Sequence, residues 1–329
     1  MKDKRILITG GAGFLGSYLA EKLLELGNSV TIYDNFMRNG ESERNIKEIK
    51  ENSKNQNLTI IKGDVLDFEK IKTTMKDKDF VFHLAALPSH RLALKKPRDY
   101  AMVDVIGTVN ILEASRIIEP SPPILFASSN KVYGKQQTPF IETIIPKPEG
   151  PYGLSKFCSE EFCRMYAVYY NLDTSIVRYH HVIGPRCQPD RELSIFTERV
   201  INNQNPIVHG HFENGKFTSC AADYTNVYDA IEATILIAKA KGFDIFNLAT
   251  GKLTTVLKIA ELVIEFLNKK NIKPVFKEML PHESLIHLAN VSKLKETFGF
   301  EAKVLVETSV KQYIEWRLKI GPRKQAIYR

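Results

Sequence analysis

The chain has 329 residues, 43% of them hydrophobic and 26% charged, with four cysteines and a formal net charge of +8. That length accommodates a dinucleotide-binding domain plus a smaller second domain, and no apolar run approaches the ~20 residues of a membrane span. Basic residues are scattered and interleaved with acids, as in Lys47-Glu48-Ile49-Lys50-Glu51, which reads as solvated surface and excludes a nucleic-acid partner. The one basic cluster, Arg317, Lys319, Arg323, Lys324 and Arg329, reads as a solvated, fraying terminus. Cys158, Cys163, Cys187 and Cys220 lack metal-ligand spacing, so free thiols and no metal site are expected, in a cytoplasmic protein. Met-Lys-Asp-Lys leads straight into a strand, so no signal peptide is expected.

In chain order, Ile6-Leu7-Ile8 forms the short apolar run of a buried parallel strand. Gly10, Gly13 and Gly16 follow at three-residue spacing, and an amphipathic helix begins at once with Phe14, Leu15, Leu19, Leu23 and Leu24. Strand, glycine turn and helix make a phosphate cradle: glycine admits close backbone approach, and the helix N-terminus offers unpaired N–H groups and a positive dipole end. Val30-Thr31-Ile32-Tyr33 closes at Asp34, eighteen residues past Gly16, where a carboxylate usually binds the adenosine ribose of NAD. Asn35 to Asn57 predicts a loop plus a surface helix.

Further strands are predicted at Leu58–Ile61, Asp79–His83, Ile124–Ala127 and Thr174–Arg178, with helices at about 97–118 and 152–170. Three prolines between Lys135 and Gly150 predict an irregular loop. This alternation argues an α/β, doubly wound parallel (Rossmann) sheet. Beyond Gly184-Pro185-Arg186, helices are predicted near 192–203, 224–241, 255–269 and 304–318, with strands at Ile207-Val208 and Asp244–Leu248. The division is an NAD-binding domain over 1–180 and a smaller α/β substrate domain over 181–329, some segments crossing between them. A substrate cleft is expected between the two, at the carboxyl ends of the strands.

Tyr152-Gly-Leu-Ser-Lys156 puts a phenol and an ammonium four residues apart on one helix face. A free tyrosine is a poor base at neutral pH. A lysine one turn away, with a nicotinamide cation nearby, favours the phenolate and makes Tyr152 a usable acid/base. Ser129, at the end of the fifth strand, is placed to share the same substrate hydroxyl.

Thr9-Gly-Gly-Ala-Gly-Phe-Leu-Gly16, Asp34, Gly63-Asp64, His83-Leu-Ala-Ala86, Ser128-Ser129, Val132-Tyr133-Gly134, Tyr152-x-x-x-Lys156 and Gly184-Pro-Arg186, in this order and spacing, resemble the extended short-chain dehydrogenase/reductases. Within them the chain looks like the NAD-dependent nucleotide-sugar epimerase/dehydratase group, over nearly its whole length. The resemblance implies an NAD site formed by Gly10, Gly13, Phe14, Leu15, Gly16, Asp34, Asn35, Asp64, Val65, Leu84, Ala85, Ala86 and Lys156. Asp64 would contact the adenine and Lys156 the nicotinamide ribose. It implies catalysis by Ser129, Tyr152 and Lys156, and a homodimer built on the 97–118 and Tyr152 helices. The latter carries Phe157, Phe162, Met165 and Tyr166.

Departures from the family pattern narrow the reaction. Dehydratases of the group carry Asp-Glu directly after the catalytic Ser/Thr, where this chain has Asn130-Lys131, so that elimination looks disabled. Asn130-Lys-Val-Tyr-Gly134 resembles the CDP-tyvelose 2-epimerases. Two substrate-side arginines of the family are replaced, one by Ala222 before Asp223-Tyr224 and one, on alignment, by Leu280 before Pro281-His282. His180-His181 fills a Phe-Asn pair whose Asn normally touches the substrate diphosphate. His180, His181 and Arg186 are therefore the expected substrate residues, with Ser129. Asp104 stands where relatives often have Asn, with no assigned role. The leading expectation is an NAD-dependent epimerase of a nucleotide-linked sugar acting through a transient keto intermediate. A dehydrogenase or ketoreductase would use the same residues. A non-catalytic NAD- or RNA-binding relative would usually have lost the Tyr/Lys pair that this chain keeps.

Overall fold

The computed structural model describes residues 1–38, 40–53, 57–87, 89–279 and 284–323. The chain divides into two compact units, Met1–Val132 with Pro148–Arg178 and Ile231–Phe246, and Tyr133–Lys147 with Tyr179–Ala230 and Asn247–Arg329.

Seven strands form the large sheet: β1 (Arg5–Thr9), β2 (Ser29–Asp34), β3 (Leu58–Lys62), β4 (Phe80–His83), β5 (Ile124–Ser129), β6 (Thr174–Tyr179) and β7 (Phe243–Leu248). Their order is β3-β2-β1-β4-β5-β6-β7. β1 pairs in parallel with β2 and β4, β2 with β3, and β4 with β5. Ile6, Leu7 and Ile8 are fully buried, as expected for a central parallel strand covered on both faces. Strand order reverses between β1 and β4, so the chain runs outward through the sheet on either side of this pair. That is the switch point at which such sheets take their ligands.

Tertiary context changed several local expectations. The strand expected at Asp244–Leu248 is β7, the edge strand of the large sheet, because an isolated apolar run carries no information about its partner. The start of the helix expected at 224–241 is a strand, Tyr224–Asn226, paired in parallel with His181–Ile183, and the helix follows at Val227–Ile237. Tyr224, Thr225 and Asn226 are buried, so pairing and packing override helical periodicity there. Ile207–Glu213 is longer than predicted because it turns back on Lys216–Ser219 through Asn214-Gly215, both at positive φ. The 97–118 helix is continuous but changes register, with α-helix at Pro97–Tyr100, a π-turn at Ala101–Ile106 and α-helix at Gly107–Ile117.

Two of the described residues of the basic tail, Arg317 and Arg323, are held by fixed partners rather than solvated, while Lys319 is exposed on the last helix. Arg317 is 5% exposed and forms a two-pronged ion pair with Glu198, its Nη2 2.7 Å from Oε2. Arg323 donates to the Cys187 carbonyl and the Tyr313 hydroxyl. A guanidinium with fixed acceptors is a structural element, and sequence-level charge counting cannot see the acceptors. Lys324 and Arg329 lie outside the described residues. No described helix is long and apolar enough to cross a membrane.

Candidate active site

The first unit holds every expected site residue from Gly10 to Lys156. Where β1 ends, Gly10 turns at φ +70°, and a Cβ there would lie 2.7 Å from the Ala85 backbone nitrogen. A Cβ on Gly16 would lie 2.3 Å from the Gly10 carbonyl oxygen. Both positions therefore need glycine, and the loops after β1 and β4 touch. α1 (Phe14–Glu25) starts with Gly13 as its N-cap and no side-chain cap, so the first-turn N–H groups of Phe14, Leu15 and Gly16 are left for an anionic ligand. The Phe14 side chain is 3% exposed and packs edge-on against Tyr18, so Phe14 can serve a ligand only through its backbone.

Asp34 ends β2 and accepts from the backbone N–H of Ala12 (3.0 Å) and of Phe36 (2.8 Å). Burial pushes this carboxyl up, while those two N–H groups and the Arg38 charge pull it down. A carboxylate has about four acceptor positions, which leaves capacity for the two hydroxyls of a ribose. Asn35 donates from Nδ2 to Asp64 (3.1 Å), and the Tyr33 hydroxyl donates to the Asp64 carbonyl (2.9 Å). Asn110 donates to the Val65 carbonyl at 2.9 Å. Asn35 is thus tied to Asp64, while Asp34 is held to the turn after β1 and Val65 to Asn110. Close glycines, an uncapped helix start and a carboxylate with spare acceptors fit a dinucleotide such as NAD.

After β4, Leu84-Ala85-Ala86 is held by side chains beneath it. Thr9 Oγ1 receives the Ala85 N–H (3.3 Å) and lies 2.7 Å from His83 Nδ1, whose Nε2 is 3.1 Å from Thr108 Oγ1. Full burial pushes His83 down to about 3, with the Lys156 charge adding to the effect, so the imidazole is neutral.

β5 ends at Ser129, and a 3-10 turn follows at Asn130–Val132. Ser129 Oγ accepts from the Lys131 N–H (3.2 Å) and contacts Asn130 Oδ1 (3.4 Å). The Tyr152 helix, Pro151–Tyr170, opens with proline in its first turn. The Tyr152 ring is edge-on to Tyr100, centroids 6.1 Å apart, beside a small cluster of Leu87, Ala93 and Tyr100. Lys156 is 2% exposed, donates from Nζ to the Ala127 carbonyl (3.0 Å), and sits 4.9 Å above the Phe126 ring. Burial lowers its pKa, and the nearby charges of Asp104 and Glu160 oppose that. The structure therefore anchors the lysine to the very strand that ends in Ser129.

Sequence reading missed the groups behind this pair. Glu160, one turn beyond Lys156, receives the Ser128 hydroxyl (2.5 Å) and both prongs of Arg178 (2.9 and 2.6 Å), all buried. The available signals were the i,i+4 spacing of Glu160 from Lys156 and an arginine at the end of the otherwise apolar Ile176-Val177 strand.

His180, His181 and Arg186 belong to the second unit. Arg186 is 4% exposed, at φ +63°. The His181 ring lies 5.5 Å from both Tyr224 and His287. Phe140 is 6.3 Å from His180 and 6.4 Å from His287. In the ladder between Ala221-Ala222 and Ile286-His287, Ala222 is level with His287. His287 thus joins the candidate substrate residues, a position no sequence motif marked. Asp223 beside it is spent on structure, accepting from the Thr250 and Gly251 N–H groups at 2.8 and 2.7 Å. Leu280, Pro281 and His282 lie outside the described residues.

The family model described as GDP-mannose 4,6 dehydratase matches residues 7–313. The chain is 32% identical to a UDP-N-acetyl-alpha-D-glucosaminuronate decarboxylase of Bacillus cytotoxicus, over 95% of this chain and 97% of that protein. A UDP-N-acetylglucosamine 4-epimerase of Methanobrevibacter ruminantium, solved with UDP-N-acetylmuramic acid, is similar in structure with a TM-score of 0.87 and 28% identity, over 98% of this chain and 100% of that one. A UDP-glucose 4-epimerase of Thermotoga maritima, solved with UDP-glucose, gives 0.83 and 31% over 96% and 99%. The chain belongs to the extended short-chain dehydrogenase/reductases, in the NAD-dependent nucleotide-sugar epimerase/dehydratase family.

Proposed function

We propose that this protein is an NAD-dependent epimerase of a UDP-linked sugar, inverting a hydroxyl-bearing carbon, with C4 the first candidate. One observation carries the reading. Tyr152 and Lys156 stand one helical turn apart, with Lys156 hydrogen-bonded to the carbonyl two residues before Ser129. NAD, when bound, supplies a reversible hydride acceptor for the sugar carbon. Tyr152 then takes the proton from the reacting hydroxyl and returns it after the intermediate ketone has presented its other face. Lys156 stabilises the phenolate, and Ser129 donates a hydrogen bond to the same sugar oxygen. Asn130 and Lys131, in place of an acid pair, argue against water elimination.

The second unit serves the nucleotide sugar in this reading, with His180, His181 and Arg186 toward the phosphates and His287 beside them. The protein acts in the cytoplasm as a homodimer. Leu154, Met165, Val168 and Tyr169 on the Tyr152 helix, with Met102 and Ile106, supply the exposed apolar face. Phe162 and Tyr166, by contrast, pack into the first unit's core. Light scattering of the purified protein reads the dimer. The function is tested by incubating the NAD-loaded protein with UDP-galactose, UDP-N-acetylglucosamine and UDP-glucuronate and resolving the products by NMR. Interconversion of the C4 epimers of one of them is expected; release of carbon dioxide or loss of water instead would overturn the reading.

A further inference from the structure

His83 is 1% exposed and ends β4, level with Thr9 at the end of β1. Beyond this pair the loop after β4 passes against the Gly10 turn. Thr9 receives two successive N–H groups of that loop, Leu84 on its carbonyl (3.1 Å) and Ala85 on its hydroxyl oxygen (3.3 Å). The same hydroxyl oxygen lies 2.7 Å from His83 Nδ1, while His83 Nε2 lies 3.1 Å from the Thr108 hydroxyl oxygen. The Phe126 ring flanks the imidazole, centroids 5.7 Å apart. The proposed reaction uses neither ring nitrogen.

The hydrogens of this cluster have one arrangement that satisfies every contact. Thr108 Oγ1 lies 2.5 Å from the Asp104 carbonyl oxygen. Two oxygens at that separation need a hydrogen between them, and a carbonyl has none to give. The single hydroxyl hydrogen of Thr108 is therefore spent on Asp104, so at the other contact Nε2–H donates to Thr108. A neutral imidazole of this tautomer presents a bare lone pair at Nδ1, and the Thr9 hydroxyl donates to it. With its hydrogen turned to the ring, Thr9 Oγ1 has lone pairs for the Ala85 N–H. The opposite tautomer would set the Nε2 lone pair against an oxygen with no hydrogen left for it. Burial disfavours the charged ring, in agreement with the neutral form.

We infer that His83 is a positioning residue for the cofactor: as the Nε2–H tautomer it turns the Thr9 hydroxyl so that Oγ1 accepts the Ala85 N–H and holds Leu84-Ala85-Ala86 against Gly10. The inference rests on the NAD site proposed for these residues and is independent of the acid/base pair. Donation runs from Ala85 through Thr9 to His83, and from His83 through Thr108 to Asp104. Each buried member is satisfied by the next, so removing one leaves its neighbour without a partner in a dry interior. The Ala85 N–H is the member that bears on the cofactor, because without its acceptor nothing in this chain fixes the loop beside the glycine turn.

Long-range proton–nitrogen NMR of the histidine-labelled full chain reads the tautomer, the His83 signal being the one missing from His83→Gln. Nε2–H is expected; an Nδ1–H or doubly protonated ring would overturn the inference. Calorimetric titration with NAD reads the positioning, with melting temperatures taken without NAD beside it. Thr9→Val keeps the shape of the side chain and deletes the hydroxyl, and should weaken NAD binding about tenfold, while Thr9→Ser should restore most of the loss. His83→Asn, whose side-chain oxygen takes the place of Nδ1, should bind NAD more tightly than His83→Gln, and this pair carries the test if Thr9→Val does not fold. A role in folding alone would lower the melting temperatures and leave the NAD affinities at the parent's value. That result overturns the inference, as do equal affinities in His83→Asn and His83→Gln. A parent that binds NAD and shows these differences, yet epimerises none of UDP-galactose, UDP-N-acetylglucosamine and UDP-glucuronate, fails the proposed function and supports the role of His83.

Discussion

Gly153 lies so close to Lys131 that a Cβ added to it would stand 2.5 Å from the Lys131 carbonyl oxygen. Backbone is on the other side of that contact, so nothing flexible can give way. The contact seats the first turn of the Tyr152 helix against the turn that follows Ser129. Gly153→Ala should push the two apart and, because acid/base transfer tolerates little displacement, lower kcat by about 10²-fold with a smaller effect on KM. Steady-state kinetics checks this; an unchanged kcat would show that the contact does not set the spacing.

Tyr152→Phe should leave NAD binding nearly intact while turnover falls by about 10²–10⁴-fold, the usual loss when general acid/base help is removed. Calorimetric titration with NAD beside the turnover assay separates the two. Ser129→Ala should lose less, because it removes a hydrogen bond and keeps the base.

NAD should be preferred over NADP. Asp34 would meet a 2′-phosphate with like charge, and its two backbone donors, Ala12 and Phe36, hold it in place. Asp34→Asn should narrow the preference, aided by Arg38 nearby. Parent protein binding NADP as tightly as NAD would contradict the assignment.

His83 predicts an acid-sensitive fold. Its imidazole is held down to about 3 by burial in the native state and titrates near ~6.5 when unfolded. The unfolded chain therefore binds a proton between these values that the native chain refuses. The stability contributed by the neutral ring is complete above pH ~6.5 and declines as pH falls toward 3, by up to ~1.4 kcal/mol per unit. Denaturant unfolding of the parent and His83→Gln at pH 7 and 5 should show the parent losing about 2 kcal/mol more. Parallel losses in the two proteins would refute this account.

Phosphate recognition should be weaker and more pH-dependent than in arginine-based sites. Ala222 offers no charge where relatives place one, and His181 with His287 stands near it. Only the imidazolium attracts phosphate as a charge, so UDP binding should weaken from pH 6 to pH 8. It should weaken further in His181→Ala and Arg186→Ala, by ~1.5–3 kcal/mol for each charged hydrogen bond removed. Tight UDP binding that ignores pH and both substitutions would place the phosphates elsewhere.

The sequence by itself located the residues of the candidate cofactor and acid/base site. The glycine spacing, Asp34 at the end of its strand and the Tyr152/Lys156 pair are local patterns, and a strand–turn–helix unit places such residues by short-range geometry alone. Only the tertiary structure decided the groups that work across elements. Asp104 meets Leu87 and Ser155, Glu160 meets Arg178, Ala222 lies level with His287, and Arg317 finds Glu198 across more than a hundred residues. Tyr224–Asn226 became a strand for the same reason, its partner lying at His181–Ile183. Pairing, counter-charge and burial are relations between distant segments, and a local sequence pattern carries no record of which distant segment will supply them.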